Sequence, residues 1–330
     1  MQSLPLTAII PVYNAEKYLP KLFDSFKKQS FKGVEISIVN DGSSDCSDQL
    51  ISEFIKDNPE YKVIYQSVKN SGQGAARELA IKASSSPYIC FIDADDYIEP
   101  DFFETFVDII NKYHPDMACS NYFVNDDKKV SDSNYNDSLF EKGGIKEKIY
   151  PYLIQNARYQ YFLPALWAKI FKKEIYVNNI CHKNIKVGED IAVFIPAFLS
   201  CNNVYLSSKH LYHYRINDDS VMQIKKPRNY SDVYNLYKHL KEKMRPEDFN
   251  EFGLQIDRLI AHVAFNCSIT QFYADKPKKA IKQIIKDNLD SEIISNAIKN
   301  IDAKGTKAKL MRYALKHKNY SLMKFYSKVM

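Results

Sequence analysis

The first hundred residues alternate short apolar runs with segments whose apolar positions recur at helical spacing. The apolar runs predict buried parallel strands, because a strand covered on both faces is apolar at nearly every position. The intervening segments predict crossover helices that return the chain to the same sheet. The four predicted strands are LTAIIPV, VEISIVNDG, YKVIYQ and YICFI. This pattern predicts an α/β fold built on a mostly parallel sheet.

The pattern changes further along the chain. From about residue 101 the strand and helix signals are mixed, whereas beyond Gln223 apolar sets such as the one around Leu259 indicate helices almost throughout. The charge changes at the same place. Residues 223–330 carry 22 Lys and Arg against 11 Asp and Glu, an excess of +11, while the preceding part has a balance of −5. We therefore predict an α/β domain over residues 1–222 and a basic helical domain over residues 223–330.

The composition narrows the class of protein. The chain has 330 residues and 45% hydrophobic content, enough for a buried core. No apolar run approaches the ~20 residues of a membrane span, and the first residues lack the basic start and apolar core of a signal peptide. Six cysteines are scattered without a CxxC pair, which argues against a structural zinc site and a disulfide framework. We expect a cytoplasmic protein.

Polar clusters follow three of the predicted strands. They are YN after the first strand, NDGSSD after the second and DADD after the fourth. Ligands of open parallel sheets bind beyond the carboxyl ends of the strands. We therefore expect the three clusters to converge on one crevice.

The acidic cluster after the fourth strand is the clearest candidate for chemistry. Asp93, Asp95 and Asp96 fall within four residues, and carboxylates this close repel one another unless something positive lies among them. An Asp-x-Asp at a strand end suits Mg²⁺ or Mn²⁺ held by one or two carboxylates together with substrate phosphates. The simpler alternative is a solvated acidic loop. The position opposite a second acidic loop favours the metal.

Two further segments fit a nucleotide diphosphate. A carboxylate at Asp41 can accept the imide N–H of a uracil, although NDGSSD is also an ordinary turn composition. The segment KNSGQGAAR offers Gly74, a helix N-terminus and the basic Lys69 and Arg77, all suited to phosphates. It is neither a Walker A loop nor GxGxxG, so a dinucleotide site is disfavoured.

The segment GEDIAVF places two acids at the start of an apolar helix. Acids there complement the helix dipole, which is the simpler interpretation. Alternatively, Glu189 or Asp190 is a general base, which must lie within reach of the hydroxyl that it deprotonates. For Trp167, the only tryptophan, and for His213, which stands among aromatic residues, a core role is the simpler interpretation.

Seven segments in this order resemble family 2 glycosyltransferases, which have the GT-A fold. They are IIPVYNAEKYLPKLFDSFKKQS, IVNDGSSD, SGQGAAR, FIDADDYIEPDFF, LWAKIFKKEI, GEDI and YHYRINDDSV. The resemblance covers about the first 222 residues and leaves the helical tail outside. It implies a GT-A fold, a nucleotide-sugar donor and an inverting displacement, and the helical tail predicted from the sequence pattern would be a C-terminal addition to that fold.

The resemblance also implies roles for individual residues. Pro11, Tyr13 and Asp41 would border the base, Asp93 would lie near the ribose, and Asp95 would bind the metal. The donor-binding residues predicted in this way or from the motifs are Pro11, Tyr13, Asp41, Lys69, Gly74, Arg77, Asp93, Ala94, Asp95 and Arg215.

The remaining roles concern the acceptor and the metal. Asp190 resembles the catalytic base, while Glu189 and Trp167 are assigned to the acceptor. His213 and Arg215 match a segment that in relatives touches the metal or the diphosphate, so His213 is predicted as a metal ligand beside Asp95.

The sequence departs from the family pattern in two places. Glu78 follows Ala76-Arg77 where relatives often have Asn, so the role of that helix start is open. There is no QxxRW-like motif and no membrane span, which disfavours a processive synthase.

The function implied by the resemblance is transfer of a hexose, with galactose or glucose favoured, from a UDP-sugar to a hydroxyl. The acceptor would be a glycan, a glycoprotein or a lipid-linked molecule in bacterial surface-glycan synthesis, and the cofactor Mn²⁺ or Mg²⁺. One alternative is a non-catalytic relative that binds nucleotide sugar or scaffolds an assembly. Another is an NAD-dependent oxidoreductase, which lacks its glycine fingerprint here.

The charge of the basic tail indicates which surfaces the protein would contact. An excess of +11 beside a domain of −5 creates a directed positive field. Such a surface favours peripheral contact with anionic lipid at the inner face of the membrane or with an anionic acceptor. The competing explanation is that apolar faces of the tail pack on the first domain or form a homodimer. We expect no nucleic-acid partner.

Overall fold

The computed structural model describes residues 4–125, 128–131, 135–181, 185–217 and 225–329. The chain divides into two compact units. The first unit comprises Met1–Ile145, Ala165–Asn178 and Ser200–Asn217. The second comprises Lys146–Pro164, Asn179–Leu199 and Asp218–Met330.

The first unit is built on one sheet, to which ten strands contribute within the described residues. The strands are β1 Leu6–Val12, β2 Glu35–Asn40, β3 Lys62–Ser67, β4 Tyr88–Phe91, β5 Tyr97–Ile98, β6 Met117–Val124, β7 Lys128–Val130, β8 Ser138–Glu141, β9 Lys169–Lys172 and β10 Asn203–Tyr214. The main order is β3-β2-β1-β4-β9-β6-β10-β5, with β7 beside β6 and β8 beside β10.

The four strands predicted from the first hundred residues are confirmed and form the parallel half of this sheet. β1 pairs in parallel with β2 and β4, and β2 pairs in parallel with β3. The connecting helices are α1 Leu19–Lys27, α2 Ser47–Asp57 and α3 Gln73–Ala83. All seven residues of β1 are buried, as expected of a strand between two parallel neighbours.

The other half of the sheet is mixed. β9 lies between β4 and β6 and is antiparallel to both, whereas β6 and β10 are parallel. β10 also pairs with the two-residue β5, which follows the acidic cluster directly. This pairing brings the end of β10 beside the end of β4.

Aromatic residues fill the space between the parallel strands and the helices that cover them. Phe23 of α1 and Phe54 of α2 stack with ring centroids 4.3 Å apart. Phe26 contacts Phe54 and also Phe103 of α4 (Phe102–Tyr113). Burial of each such ring contributes about 1.5–3 kcal/mol, so these contacts fix α1, α2 and α4 against the sheet.

The second unit is helical. Its helices are α7 Glu189–Ser200, α8 Ser231–Lys243, α9 Pro246–Glu251, α10 Gly253–Thr270, α11 Lys278–Leu289, α12 Glu292–Asn300, α13 Thr306–Lys316 and α14 Tyr320–Val329. Of the two short helices that come earlier in the chain, α5 Lys142–Lys148 crosses the boundary between the units and α6 Lys173–Asn178 belongs to the first unit. Two 3₁₀ turns cover Tyr150–Tyr152 and Gln271–Tyr273. Helix α10 is central, because it contacts α8, α12, α13 and α14.

The helical character predicted for the tail is confirmed over its described residues, whereas Gln223 itself lies outside them. Residues 146–164 and 179–199 belong to the same compact unit as the tail. The domain boundary predicted at residue 222 stays a prediction. Among the described residues, no helix combines the length and apolar character that crossing a bilayer requires.

Gly42 ends β2 in a conformation that only glycine adopts easily. Its φ is +73°, and a Cβ atom built there would lie 2.7 Å from the backbone nitrogen of Asn70. The glycine therefore lets the loop after β2 approach the loop before α3.

We expect Gly42→Ala to lower the free energy of unfolding by about 1–3 kcal/mol, because the methyl group meets backbone and the positive φ is strained. Chemical denaturation measures this loss. Gly74→Ala in the first turn of α3 is the matched control, since a Cβ atom added at Gly74 would have nothing within 4 Å. An equal loss in both variants would contradict the prediction.

Candidate active site

Two loops at the carboxyl ends of β1 and β2 are joined by hydrogen bonds. The Asn14 N–H donates to Ser43 Oγ at 3.0 Å, and Asn14 Oδ1 accepts from the Ser44 N–H at 2.8 Å. The Ala15 N–H donates to Ser47 Oγ at 2.9 Å. Asn14 adopts a positive φ of 47°, which Asn tolerates better than most residues. These bonds bring the first two polar clusters together, as the strand order predicts.

Tyr13 stands at this junction with its side chain in solvent. It is 56% exposed, whereas the preceding Val12 and Pro11 are buried in β1. An exposed aromatic ring beside polar loops suits stacking on a base. The contacts of Pro11 and Tyr13 with a nucleotide base stay a prediction.

Asp41 holds the loop before α3. Its Oδ1 accepts from the Ser71 N–H at 2.7 Å, and its Oδ2 accepts from the Gly72 N–H at 2.8 Å. Asn70 Nδ2 donates to the Asp41 carbonyl oxygen at 3.1 Å. With an exposure of 2%, Asp41 acts first as a structural clamp on the glycine loop. The hydrogen bond predicted between Asp41 and a uracil remains a prediction.

The clamped loop presents the residues that were predicted to contact phosphates. Lys69 and Gly74 are exposed, and α3 begins at Gln73. Gly72 at the N-cap has a φ of 95°. The backbone N–H groups in the first turn of this helix lack intrahelical partners, which makes the loop suitable for an anion.

Asp93 connects the end of β4 to α3. Its Oδ1 accepts from Arg77 Nη2 at 3.1 Å and from Gln73 Nε2 at 3.1 Å. The Arg77 side chain is buried, so this pair is only weakly screened by solvent. Arg77 therefore neutralises Asp93, one of the three neighbouring carboxylates.

Asp96 is buried and structural. With an exposure of 1%, it accepts from the Tyr212 hydroxyl at 2.7 Å and from the Arg215 N–H at 2.8 Å. Burial, together with the Asp93 and Asp95 charges, raises the pKa of Asp96. The Tyr212 oxygen in turn accepts from the Asp93 N–H at 3.1 Å. Asp96 and Tyr212 thus tie β10 to the turn after β4.

Asp95 is the carboxylate with the least compensation. Burial raises its pKa, and the neighbouring Asp93 raises it further. Its only side-chain partner within the described residues is Asn217, whose Nδ2 donates to Oδ2 at 2.9 Å. Ala94, between the two acids, is buried. A carboxylate in this position favours a cation beside it.

The carboxylates fit a hard divalent cation that takes only one or two protein ligands. Within the part of the chain that the structure describes, no group of three or more His, Cys, Asp or Glu side chains forms a complete cage. Mg²⁺ and Mn²⁺ sites of phosphate-handling enzymes typically complete their coordination with water and substrate phosphates. Asp95, with Asp93 beside it, matches that donor set.

Arg215 lies against the opposite side of this turn. Its Nε donates to the Asp95 carbonyl oxygen, and its Nη2 donates to the Tyr18 carbonyl oxygen at 3.3 Å. The guanidinium also lies 5.1 Å from the Tyr18 ring centroid and 5.7 Å from that of Tyr97. Arg215 is therefore held beside Asp95, and its predicted role in donor binding stays a prediction.

His213 occupies a different environment from the one expected of a metal ligand. Its ring stacks between Tyr97 and Phe123, at centroid distances of 4.1 and 4.3 Å. Nε2 contacts Glu99 Oε1 at 2.5 Å, and Nδ1 lies 3.4 Å from the Asn125 carbonyl oxygen. These contacts occupy the imidazole in the absence of a ligand, and the metal-ligand role predicted for His213 stays a prediction.

Trp167 lies in an aromatic stack. Its ring is parallel to Tyr212 and Tyr214, with centroid distances of 5.0 and 5.3 Å, and edge-on to Tyr122 at 4.8 Å. The side chain is buried, which agrees with the simpler core interpretation. Its assignment to the acceptor stays a prediction.

Glu189 and Asp190 begin helix α7 in the second unit. Both are half-buried, and both stand in the first turn, where negative charge is favourable. Gly188, just before them, has a φ of +89°. The roles predicted for the two acids in catalysis and in acceptor binding stay predictions.

Four contacts of the site were not predicted from the sequence. Tyr212 and Asn217 bond to Asp96 and Asp95, while Tyr18 and Tyr97 flank Arg215. Tyr212 and Asn217 are more than a hundred residues from the acids, so no local spacing indicates the contact. The segment YHYRIN contains both residues, and its polar character is the only sequence signal.

The incompletely compensated burial of Asp95 predicts a stability cost in the absence of ligands. A carboxyl whose pKa is raised in the folded state is more costly above that pKa than below it, because only the charged form is penalised. We expect Asp95→Asn to raise the melting temperature at pH 8 and to raise it less at pH 5. Thermal unfolding at both pH values measures the difference.

Asp108→Asn is the matched control, since Asp108 is exposed on α4. It should change the melting temperature little at either pH. A lower melting temperature for Asp95→Asn at pH 8, or a difference that does not vary with pH, would contradict the prediction.

The sequence of this chain is similar to that of known glycosyltransferases. The chain is 31% identical over 225 residues to "Glycosyltransferase GlyA" of Streptococcus pneumoniae, covering 66% of this chain and 32% of GlyA. The matched part of the chain thus spans about a third of GlyA.

Two solved structures share the fold. Staphylococcus aureus TarS 1–349 in complex with UDP superposes with a TM-score of 0.66 at 19% identity, covering 99% of this chain and 92% of TarS 1–349. The mannosyltransferase PcManGT from Pyrobaculum calidifontis, in complex with GDP-Man and Mn²⁺, gives a TM-score of 0.55 at 12% identity, covering 97% and 88%. The predicted α/β fold of the GT-A type with C-terminal helices is confirmed.

The family model for "Glycosyl transferase family 2" matches residues 7–173. This region contains β1 to β4 and the polar clusters at their carboxyl ends, together with β9. The chain belongs to glycosyl transferase family 2.

Proposed function

We propose that this protein is an inverting glycosyltransferase that moves a hexose from a UDP-sugar to a hydroxyl group of an acceptor. The observation that carries the proposal is the cluster of Asp93 and Asp95 at the end of β4. Arg77 compensates Asp93, whereas burial and the Asp93 charge raise the pKa of Asp95, which supports a cation beside Asp95. This cluster lies within the region matched by the family model.

The nucleotide would bind at the joined loops after β1 and β2. Tyr13 offers an exposed ring for the base, and Asp41 holds the loop that contains Lys69 and Gly74. Asp93 would lie near the ribose, where the Arg77 pair fixes its orientation. These residues bind and orient the donor and leave the sugar carbon open to attack.

The metal site is proposed at Asp95, which would hold Mn²⁺ or Mg²⁺. When bound, the cation supplies positive charge that stabilises the diphosphate as a leaving group. Arg215, held beside Asp95 by its contacts with Tyr18 and Tyr97, adds a second positive charge there. Because the leaving diphosphate is stabilised as an anion, the protein needs no general acid.

The base is proposed to be Asp190, on the resemblance of its GED motif. Its carboxylate would take the proton of the acceptor hydroxyl while the hydroxyl oxygen bonds to the anomeric carbon. The bond from that carbon to the diphosphate breaks on the opposite face, so the configuration inverts. Glu189, its neighbour, is proposed to orient the acceptor, and Trp167 is also assigned to acceptor binding.

The proposal extends to the class of substrates and to the location of the enzyme. Galactose and glucose are the favoured sugars, and the acceptor is a glycan, a glycoprotein or a lipid-linked molecule of bacterial surface-glycan synthesis. The fold holds UDP in TarS and GDP-mannose with Mn²⁺ in PcManGT, which is compatible with a nucleotide-sugar donor. We place the enzyme in the cytoplasm.

The first test measures UDP release from a panel of UDP-sugars by the protein in buffer that contains Mn²⁺ or Mg²⁺. We expect turnover with at least one UDP-hexose, loss of turnover with excess chelator, and recovery with Mn²⁺ or Mg²⁺. Asp95→Asn should reduce turnover by at least about 10²-fold, because the cation that stabilises the leaving diphosphate would lose its charged ligand.

Asp108→Asn serves as the control and should retain wild-type turnover. Full activity in excess chelator would reject the metal, and wild-type activity of Asp95→Asn would reject its role. No UDP release with any donor, in a folded protein that binds UDP, would favour the non-catalytic alternative.

The second test concerns the base. Asp190→Asn should retain UDP-sugar binding but lower kcat by about 10²–10⁴-fold, the usual contribution of a positioned base. Glu189→Gln should instead raise KM for the acceptor more than it lowers kcat. Calorimetry for the donor and steady-state kinetics for both variants give these numbers. Transfer at nearly the wild-type rate by Asp190→Asn would show that the assignment is wrong.

A further inference from the structure

A basic cavity opens within the second unit, among helices α11, α12 and α13. Its volume is about 340 Å³, at the lower end of the range typical of small-molecule sites. The lining residues are Leu289, Asp290, Ser295, Ile298, Lys299, Arg312, Leu315, Lys316 and Lys318. All of them belong to one compact unit.

Four of the lining side chains are cationic and one is acidic. The acidic one, Asp290, is already compensated, because Lys318 lies 2.7 Å and Lys286 3.0 Å from its carboxylate oxygens. Within the described part of the chain, Lys299, Arg312 and Lys316 form no ion pair with a carboxylate. The cavity therefore carries an excess of positive charge that the protein itself does not neutralise.

Helix dipoles account for part of this arrangement. Lys299 and Lys316 stand in the last turns of α12 and α13, where cations are favourable. The partial charge of a helix end is about half an elementary charge, which is smaller than the charge of a lysine. The dipoles thus explain why lysines are tolerated here, but they leave a net positive field.

Arg312 is not explained in this way. It precedes the last turn of α13, and its Nε is buried without a hydrogen-bond partner among the described residues. A buried N–H of a guanidinium without an acceptor is costly. The buried hydroxyl of Tyr159, on which the Arg312 charge also acts, likewise has no hydrogen-bond partner within the described chain. Arg312 therefore needs an acceptor that these residues do not supply.

We propose that this cavity binds the phosphate group of an organic phosphate, with Arg312 as the principal ligand. A phosphate offers the oxygen acceptors that a guanidinium prefers, and lysines add charge without fixed geometry. Leu289, Ile298 and Leu315 line the remaining volume, which leaves room for a small carbon group on the phosphate. The site is separate from the proposed transfer reaction and does not depend on it.

The test measures binding of sn-glycerol 3-phosphate to the full-length protein by titration calorimetry, with UDP present to fill the donor site. We expect wild-type protein to bind this probe, and Arg312→Gln to weaken binding at least about tenfold, because a charged hydrogen bond is lost. Raising the salt concentration should weaken wild-type binding as well.

Lys309→Gln is the matched control. Lys309 is exposed on the same helix and does not line the cavity, so its removal takes away equal charge and should leave binding within about twofold of wild type. Should Arg312→Gln fail to fold, Lys299→Gln/Lys316→Gln replaces it, since both lysines are exposed. That double variant should also weaken binding several-fold.

A second arm distinguishes a soluble phosphate from a lipid headgroup. Sedimentation with vesicles of phosphatidylcholine, with and without phosphatidic acid, reports headgroup binding by the same variants. The site is supported if Arg312→Gln, but not Lys309→Gln, loses binding of sn-glycerol 3-phosphate or of phosphatidic acid vesicles. The probe whose binding is lost shows whether the ligand is a soluble phosphate or a lipid headgroup. No binding of either probe by wild-type protein, or equal binding by wild type and Arg312→Gln, overturns the proposal.

Discussion

The repulsion among Asp93, Asp95 and Asp96 is the constraint on which the first unit depends. Three carboxylates within four residues cannot be buried together unless each finds a donor or a cation. Arg77 supplies one from α3, and Tyr212 supplies another from β10. The acidic turn therefore requires elements from both halves of the sheet. Asp95 is left with an amide partner, and its pKa remains raised. Incomplete compensation at that position is the reason why we propose a cation there.

The same constraint explains why the ends of β4 and β10 must meet. β5 follows the acidic turn directly and pairs with β10 through Tyr97 and His213. Their rings stack, and Phe123 of β6 closes the other side of the imidazole. This stack holds β10 in the register that delivers the Tyr212 hydroxyl to Asp96. His213 thus contributes to this register by packing and by its contact with Glu99.

Much of the fold could be predicted because its signals are local. Apolar runs of strand length and helical spacing indicated β1 to β4 with α1 to α3, and topology then placed the polar clusters at one edge. The insertion of β9 between β4 and β6 could not be predicted in this way. The two segments β4 and β9 are about eighty residues apart, and their antiparallel pairing produces no periodic pattern in the sequence. For the same reason the donors to Asp95 and Asp96 were missed. Hydrogen bonds of Asp41 were missed as well, because a turn composition does not say which backbone N–H groups the carboxylate will face.

Charge compensation separates structural from ligand-binding groups in both units. Asp41 and Asp96 are buried deeply, yet each has several donors and needs nothing more. Asp95 in the first unit and Arg312 in the second are the opposite case, since burial is combined with too few partners among the described residues. A buried group without sufficient partners reduces stability, and a ligand that supplies the missing partner restores it by binding the folded state alone. The sign of the missing charge is the basis of the two ligands that we propose, a cation at Asp95 and an anion at Arg312.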